Sequence, residues 1–94
     1  MLALEARFSK NVNIPWRLIE GEAVLIDLEE GEVVRLNAVG AEIWNAIDGK
    51  RTLGEIVAHI FCTFEVSQRT ARRNVYRFIK QLLRQELIQE EPLS

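Results

Sequence analysis

The sequence is poor in the residues that build reactive centres. Its 94 residues include one cysteine, Cys62, and one histidine, His59. A lone cysteine excludes an intramolecular disulfide, and one residue of each kind leaves zinc without a ligand set. Both sit in the helical pattern EIVAHIFCTF, which predicts a small buried Cys62 and a solvated or capping His59. A nucleophilic Cys–His pair would also need a third group to orient it, and none accompanies it. Glycine and proline are scarce (5 and 2) and 48% of the residues are apolar, which excludes a disordered chain. No apolar run approaches the ~18 residues of a membrane span, and MLALEARFSK carries acid too early for a secretory signal. There is no Gly-rich phosphate loop and no activated nucleophile. The expectation is a cytoplasmic protein that is not an enzyme, needs no cofactor or metal, and has no membrane partner.

What is present is charge, unevenly placed. The formal net charge is −2. Residues 20–65 hold ten acids against Arg35, Lys50 and Arg51, whereas residues 66–85 hold six bases (Arg69, Arg72, Arg73, Arg77, Lys80, Arg84) and no acid. Such asymmetry concerns partners and association more than fold.

Periodicity divides the chain into a flexible N-terminal arm (1–11), one domain (12–90) and a C-terminal tail (91–94). NIPWRLI reads as a first strand, with Pro15 marking an edge or bulge. AVLIDL (23–28) alternates, with Val24, Ile26 and Leu28 on one face and Ala23, Leu25 and Asp27 on the other. Gly31 suits a tight turn, and EVVRLN (32–37) returns antiparallel, with Val34 and Leu36 inward and Val33 and Arg35 outward. Asn37 is placed to cap a helix over AVGAEIWNAI, in which Gly40 predicts close packing and Gly49 a left-handed stop. Thr52 and Glu55 form a capping box for a second helix, with Leu53, Ile56, Val57, Ile60, Phe61 and Phe64 at 3–4 spacing. Ser67 caps a third helix over 68–86 whose core stripe is Ala71, Val75, Phe78 and Leu82. Three antiparallel strands followed by three helices make an α+β unit of winged helix-turn-helix type.

Two surfaces stand out. The strand over residues 32–37 falls at a sheet edge, where open backbone groups can accept an added strand. On the third helix, Arg72, Tyr76, Ile79 and Leu83 extend the apolar arc to one side, with Arg69 and Lys80 at its border. Together they predict a groove for an acidic, apolar peptide. The alternative is a nucleic-acid recognition helix, because Arg69, Arg73, Arg77, Lys80 and Arg84 span an arc of ~80°. The net negative charge of the rest of the domain opposes that alternative.

VLIDLEEGEVVRLNAVGAEIWNAIDGKRTLGEI, followed by an amphipathic helix and LLRQELI, resembles the PqqD family. The resemblance covers residues 14–88 and is carried by Asp27, Gly31, Leu36, Asn37, Gly40, Ile43, Trp44, Asp48, Gly49, Thr52, Glu55 and Ile56. It implies a non-catalytic RiPP recognition element, a peptide chaperone that binds the leader segment of a ribosomal precursor peptide. The family presents that leader to a modifying enzyme, often a radical SAM protein, in PQQ-type cofactor or other RiPP biosynthesis. In such domains the leader adds beside the third strand and rests against the third helix, so the candidate peptide-binding residues are Glu32, Val33, Val34, Arg35 and Leu36 on the strand. On the helix they are Arg69, Arg72, Arg73, Tyr76, Ile79, Lys80 and Leu83. Val33 and Val34 depart from the aromatic common in relatives, and Glu86 stands where a helix-ending glycine is common.

Overall fold

The computed structural model describes residues 2–92. The predicted hairpin is present, within a three-stranded antiparallel sheet ordered β2 (Trp16–Ile19), β3 (Glu22–Asp27), β4 (Glu32–Leu36). Pro15 sits immediately before β2, at the end of the ladder, where its carbonyl accepts Ile26 N–H and its missing N–H costs only the terminal return bond. Glu20 and Gly21 both have positive φ (51° and 81°), the backbone that a two-residue hairpin loop needs. The β3–β4 turn is held by Asp27, whose Oδ1 accepts the N–H groups of Glu29 and Glu30, and Gly31 has φ 67°. Ala23 and Leu25 are the inward face of β3, fully buried, while Ile26 and Leu28 lie on the exposed face.

Three helices follow: α1 (Ala38–Ala46), α2 (Leu53–Thr63) and α3 (Gln68–Arg84). Each begins at the predicted cap. Asn37 accepts from Gly40 N–H, Ser67 accepts from Thr70 N–H, and Thr52 and Glu55 satisfy one another's backbone in a complete capping box. Glu55 is held below the usual carboxylate range by hydrogen bonds from the Thr52 backbone and then its hydroxyl. Helix α1 stops one step before the predicted position, because Ile47 is already extended. Gly49 has its positive φ (78°) in the following turn, where Asp48 Oδ1 accepts from Lys50 and Arg51 N–H.

Helix α3 ends in a Schellman motif. Glu86 N–H donates to Leu83 O at 3.1 Å and Leu87 N–H to Leu82 O at 3.0 Å, with Leu82 and Leu87 both buried. Glu86 therefore takes the left-handed conformation (φ 58°) that a glycine would adopt without strain. Glu86→Gly is expected to raise stability by about 0.5–1 kcal/mol, since relief of strain exceeds the added chain entropy. Thermal unfolding checks it, and a lowered midpoint would show that the Glu86 side chain contributes more than its backbone costs.

The arm assigned to residues 1–11 needs correction. Phe8–Lys10 form a strand, β1, paired antiparallel with β5 (Ile88–Glu90), and Glu91 N–H donates to Arg7 O. Ala6 is buried and Phe8 is fully buried, and burying a phenylalanine contributes roughly 1.5–3 kcal/mol. A stretch so anchored is part of the domain. Of the predicted tail, residues 93–94 lie outside the described residues.

One expectation about a single side chain also changes. Cys62 is exposed, because Ile56 and Ile60 fix the buried side of α2 and Cys62 lies on the other. His59 is half exposed, and its Nε2 meets Glu42 Oε2 at 2.9 Å, joining α2 to α1. Trp44 is fully buried at the centre of the core, with Trp16 edge-on to it at 5.9 Å between ring centroids. Lys10 Nζ lies over both rings, at 5.0 and 5.3 Å from their centroids, and donates to Ile47 O. Burial lowers the Lys10 pKa, partly offset by Asp48.

Candidate peptide-binding groove

Strand β4 is one edge of the sheet, as β2 is on the other side, and the register shows which of its backbone groups are available. Ile26 N–H donates to Pro15 O at 2.9 Å, so residue 26 turns its backbone toward β2. Alternation then turns residues 23, 25 and 27 toward β4, where they stand opposite Leu36, Val34 and Glu32. Those three β4 residues complete the ladder. Val33 and Arg35 are left with N–H and C=O groups facing outward. Their side chains are exposed, whereas Val34 is half-buried and Leu36 buried.

Beside this edge lies a groove of about 410 Å³ between β4, the first turns of α1 and one side of α3. Its apolar lining is Val34, Leu36, Val39, Ile43 and Phe78, and its polar rim is Arg35, Asn37, Asn74, Arg77 and Gln81. Gly40 lies at the floor of the groove. A Cβ there would stand 3.3 Å from Leu36 Cβ, which would have to give by a few tenths of an ångström, and 3.4 Å from Phe78 Cζ, an ordinary contact. The close packing predicted for Gly40 is therefore directed at the groove itself. An extended peptide added to β4 would find two backbone donors, two acceptors and an apolar floor.

The structure divides the sequence-predicted residues. Val34, Arg35 and Leu36 line the groove, and Val33 stands on the outer face of the same edge. Glu32 lies instead in an acidic depression with Asp27, Glu29, Glu30 and Glu86, bordered by Arg84. Arg69, Arg72, Arg73, Tyr76 and Lys80 line a separate depression on the outer face of α3, with Arg77 shared between the two. Leu83 is half-buried against the core. Ile79 is fully buried and has no surface to offer a ligand, whereas Phe78, assigned to the core, is only half-buried and lines the groove. The helix thus turns its other flank to β4. Asn74 and Gln81 lie within ~60° of Phe78, on the side away from Tyr76.

The signal for that flank was the interruption of the basic run. Asn74 and Gln81 are uncharged polar residues placed on one line with Phe78 by their i, i+4, i+7 spacing. Asn37, Val39, Gly40 and Ile43 cap and pack α1, as their spacing predicts, and they also line the groove.

The six bases of α3 have no hydrogen bond or ion pair to another residue among the described residues, where the one ion pair is His59–Glu42. Arg72 stacks over the Tyr76 ring at 5.6 Å. Like charges at i, i+4 cost a helix about 0.2–0.5 kcal/mol each, so 69/73, 73/77 and 80/84 are a standing cost. Among the described residues no cluster of His, Cys, Asp and Glu is arranged to hold a metal, and no helix is long and apolar enough to cross a membrane.

Comparison with known proteins follows the same geometry. The family model described as coenzyme PQQ synthesis protein D (PqqD) matches residues 22–88. No curated protein is similar enough to count as a relative. Among solved structures, TbiB1 in complex with the TbiA(beta) leader peptide superposes with a TM-score of 0.77, at 28% identity over 86% of this chain and 94% of that one. Lasso peptide synthetase B1 complexed with the leader peptide gives a TM-score of 0.75 over 93% of this chain and 100% of that one. Its 21% identity makes it a likeness of fold alone.

Proposed function

The chain belongs to the PqqD family, and from that membership we propose that it is a RiPP recognition element, a non-catalytic domain that binds the leader segment of a ribosomally made precursor peptide. The leader adds as a strand along Val33 and Arg35 of β4 and packs apolar side chains into the groove against Phe78. The domain presents the bound precursor to a modifying enzyme, a radical SAM protein being one candidate, in the synthesis of a PQQ-type cofactor or another modified peptide. The observation that carries this reading is the open β4 edge running beside an apolar groove. TbiB1, the structural relative at 28% identity, is in complex with a leader peptide, which supports it.

The unpaired bases of α3 favour a second reading, a nucleic-acid binder, and salt separates the two. Titrating the chain with the leader of a precursor encoded beside it should give saturable binding that weakens only modestly as salt rises. Arg77→Glu, at the groove rim, should cost tenfold or less, because exposed ion pairs are worth about 0–1 kcal/mol. Duplex DNA should bind weakly or not at all. Tight DNA binding with a steep salt slope, abolished by Arg77→Glu, together with no leader binding, would replace the peptide reading.

A further inference from the structure

We propose that the outer face of α3 is a second docking surface, taken by an acidic patch on the enzyme that modifies the groove-bound peptide; the identity of that partner rests on the peptide-binding reading above. Arg69, Arg72, Arg73 and Lys80 are exposed and do not line the groove. None is neutralised by a residue of this chain among those described. The Arg72–Tyr76 stack adds a flat arginine–aromatic plate, of residue types enriched in protein interfaces. A helix with six bases and no acid repels itself, and an opposing carboxylate surface relieves that repulsion.

The geometry favours a bounded acidic patch over an extended polyanion. The C-terminal end of α3, at Arg84 and the Gln85–Glu86 cap, lines the acidic depression that also holds Asp27, Glu29, Glu30 and Glu32. A nucleic acid running along the helix would meet those carboxylates, whereas a protein whose acidic patch ends with the helix would not. Arg77 belongs to both the basic face and the groove, so a partner docked on the face stands beside the peptide. Attraction between the two surfaces would speed encounter and orient the enzyme toward the peptide it modifies.

The test uses the full chain, the precursor and the modifying enzyme encoded beside it. Arg69→Glu/Arg73→Glu and its neutral counterpart Arg69→Gln/Arg73→Gln alter exposed helix positions, and circular dichroism verifies their fold. The expected result is unchanged leader affinity, with affinity for the enzyme reduced about tenfold or more by reversal and less by neutralisation. Wild-type affinity for the enzyme should also fall as salt rises from ~50 to ~300 mM. Equal losses of leader and enzyme binding would overturn the proposal by assigning the face to the peptide. Unchanged enzyme binding would overturn it outright, and duplex-DNA binding lost on reversal, with enzyme binding intact, would give the face to nucleic acid. If the enzyme binds in this salt-sensitive way while the leader does not bind at all, the docking surface stands and the peptide reading fails.

Discussion

Val33→Pro is expected to abolish leader binding while leaving the domain folded, and Val34→Pro to unfold the hairpin. The two residues are neighbours, yet their backbones face opposite ways. Val34 stands opposite Leu25 in the ladder, so proline there removes an internal hydrogen bond and sets its ring against β3, at a cost of ~3 kcal/mol or more by analogy with other buried backbone positions. Against a total stability of about 5–15 kcal/mol, that loss is severe. Val33 faces outward, so proline costs the free protein little and suits an edge. It removes one of the two free donors and places a ring where an incoming strand must lie. Leader titration paired with thermal unfolding reads both effects. A folded Val33→Pro variant that binds leader normally would exclude strand addition along β4.

Phe78→Ala should cost more leader affinity than any single change on the opposite flank of α3. Phe78 is the large side chain on the helix wall of the groove, and central apolar anchors dominate interfaces, so a loss of about 2 kcal/mol, near thirtyfold, is expected. Tyr76→Ala removes an aromatic of similar size and similar partial burial, but from the flank turned away from β4. Its effect on leader affinity should stay within about twofold, since residues away from the anchor contribute little. Because Phe78 also packs on the core, Phe78→Leu keeps most of that packing and should show an intermediate binding loss at near-native stability. The reverse order, with Tyr76→Ala damaging and Phe78→Ala harmless, would place the peptide on the far side of the helix.

That contrast marks where the sequence stopped being informative. Caps and turns are local devices, in which Asn37, Thr52, Glu55 and Ser67 each meet a partner three residues away, so reading the chain locates them. The flank of α3 that faces β4 depends on how the whole helix is rolled against the core, and both flanks of an apolar stripe look alike in sequence. Ile79 is a different case. It lies four residues after Val75 and three before Leu82, both buried, so spacing alone assigns it to the core. For Cys62 the general tendency of cysteine to be buried points the wrong way, and its angular position opposite Ile60 decides its exposure. The β1–β5 pair was invisible because three-residue strands carry no measurable period and their partners lie at opposite ends of the chain.

That terminal pair has a kinetic consequence. Every other pairing in the sheets joins neighbouring strands through a short turn, whereas Phe8–Lys10 must wait for Ile88–Glu90 to emerge from the end of α3. Closing so long a loop before its contacts can reward it is slow, so this step belongs late in folding. Interactions absent from the folding transition state act mainly on the rate of unfolding. The buried Phe8 and the ladder around it would then serve as a latch, with little influence on how fast the domain forms and a large one on how long it persists.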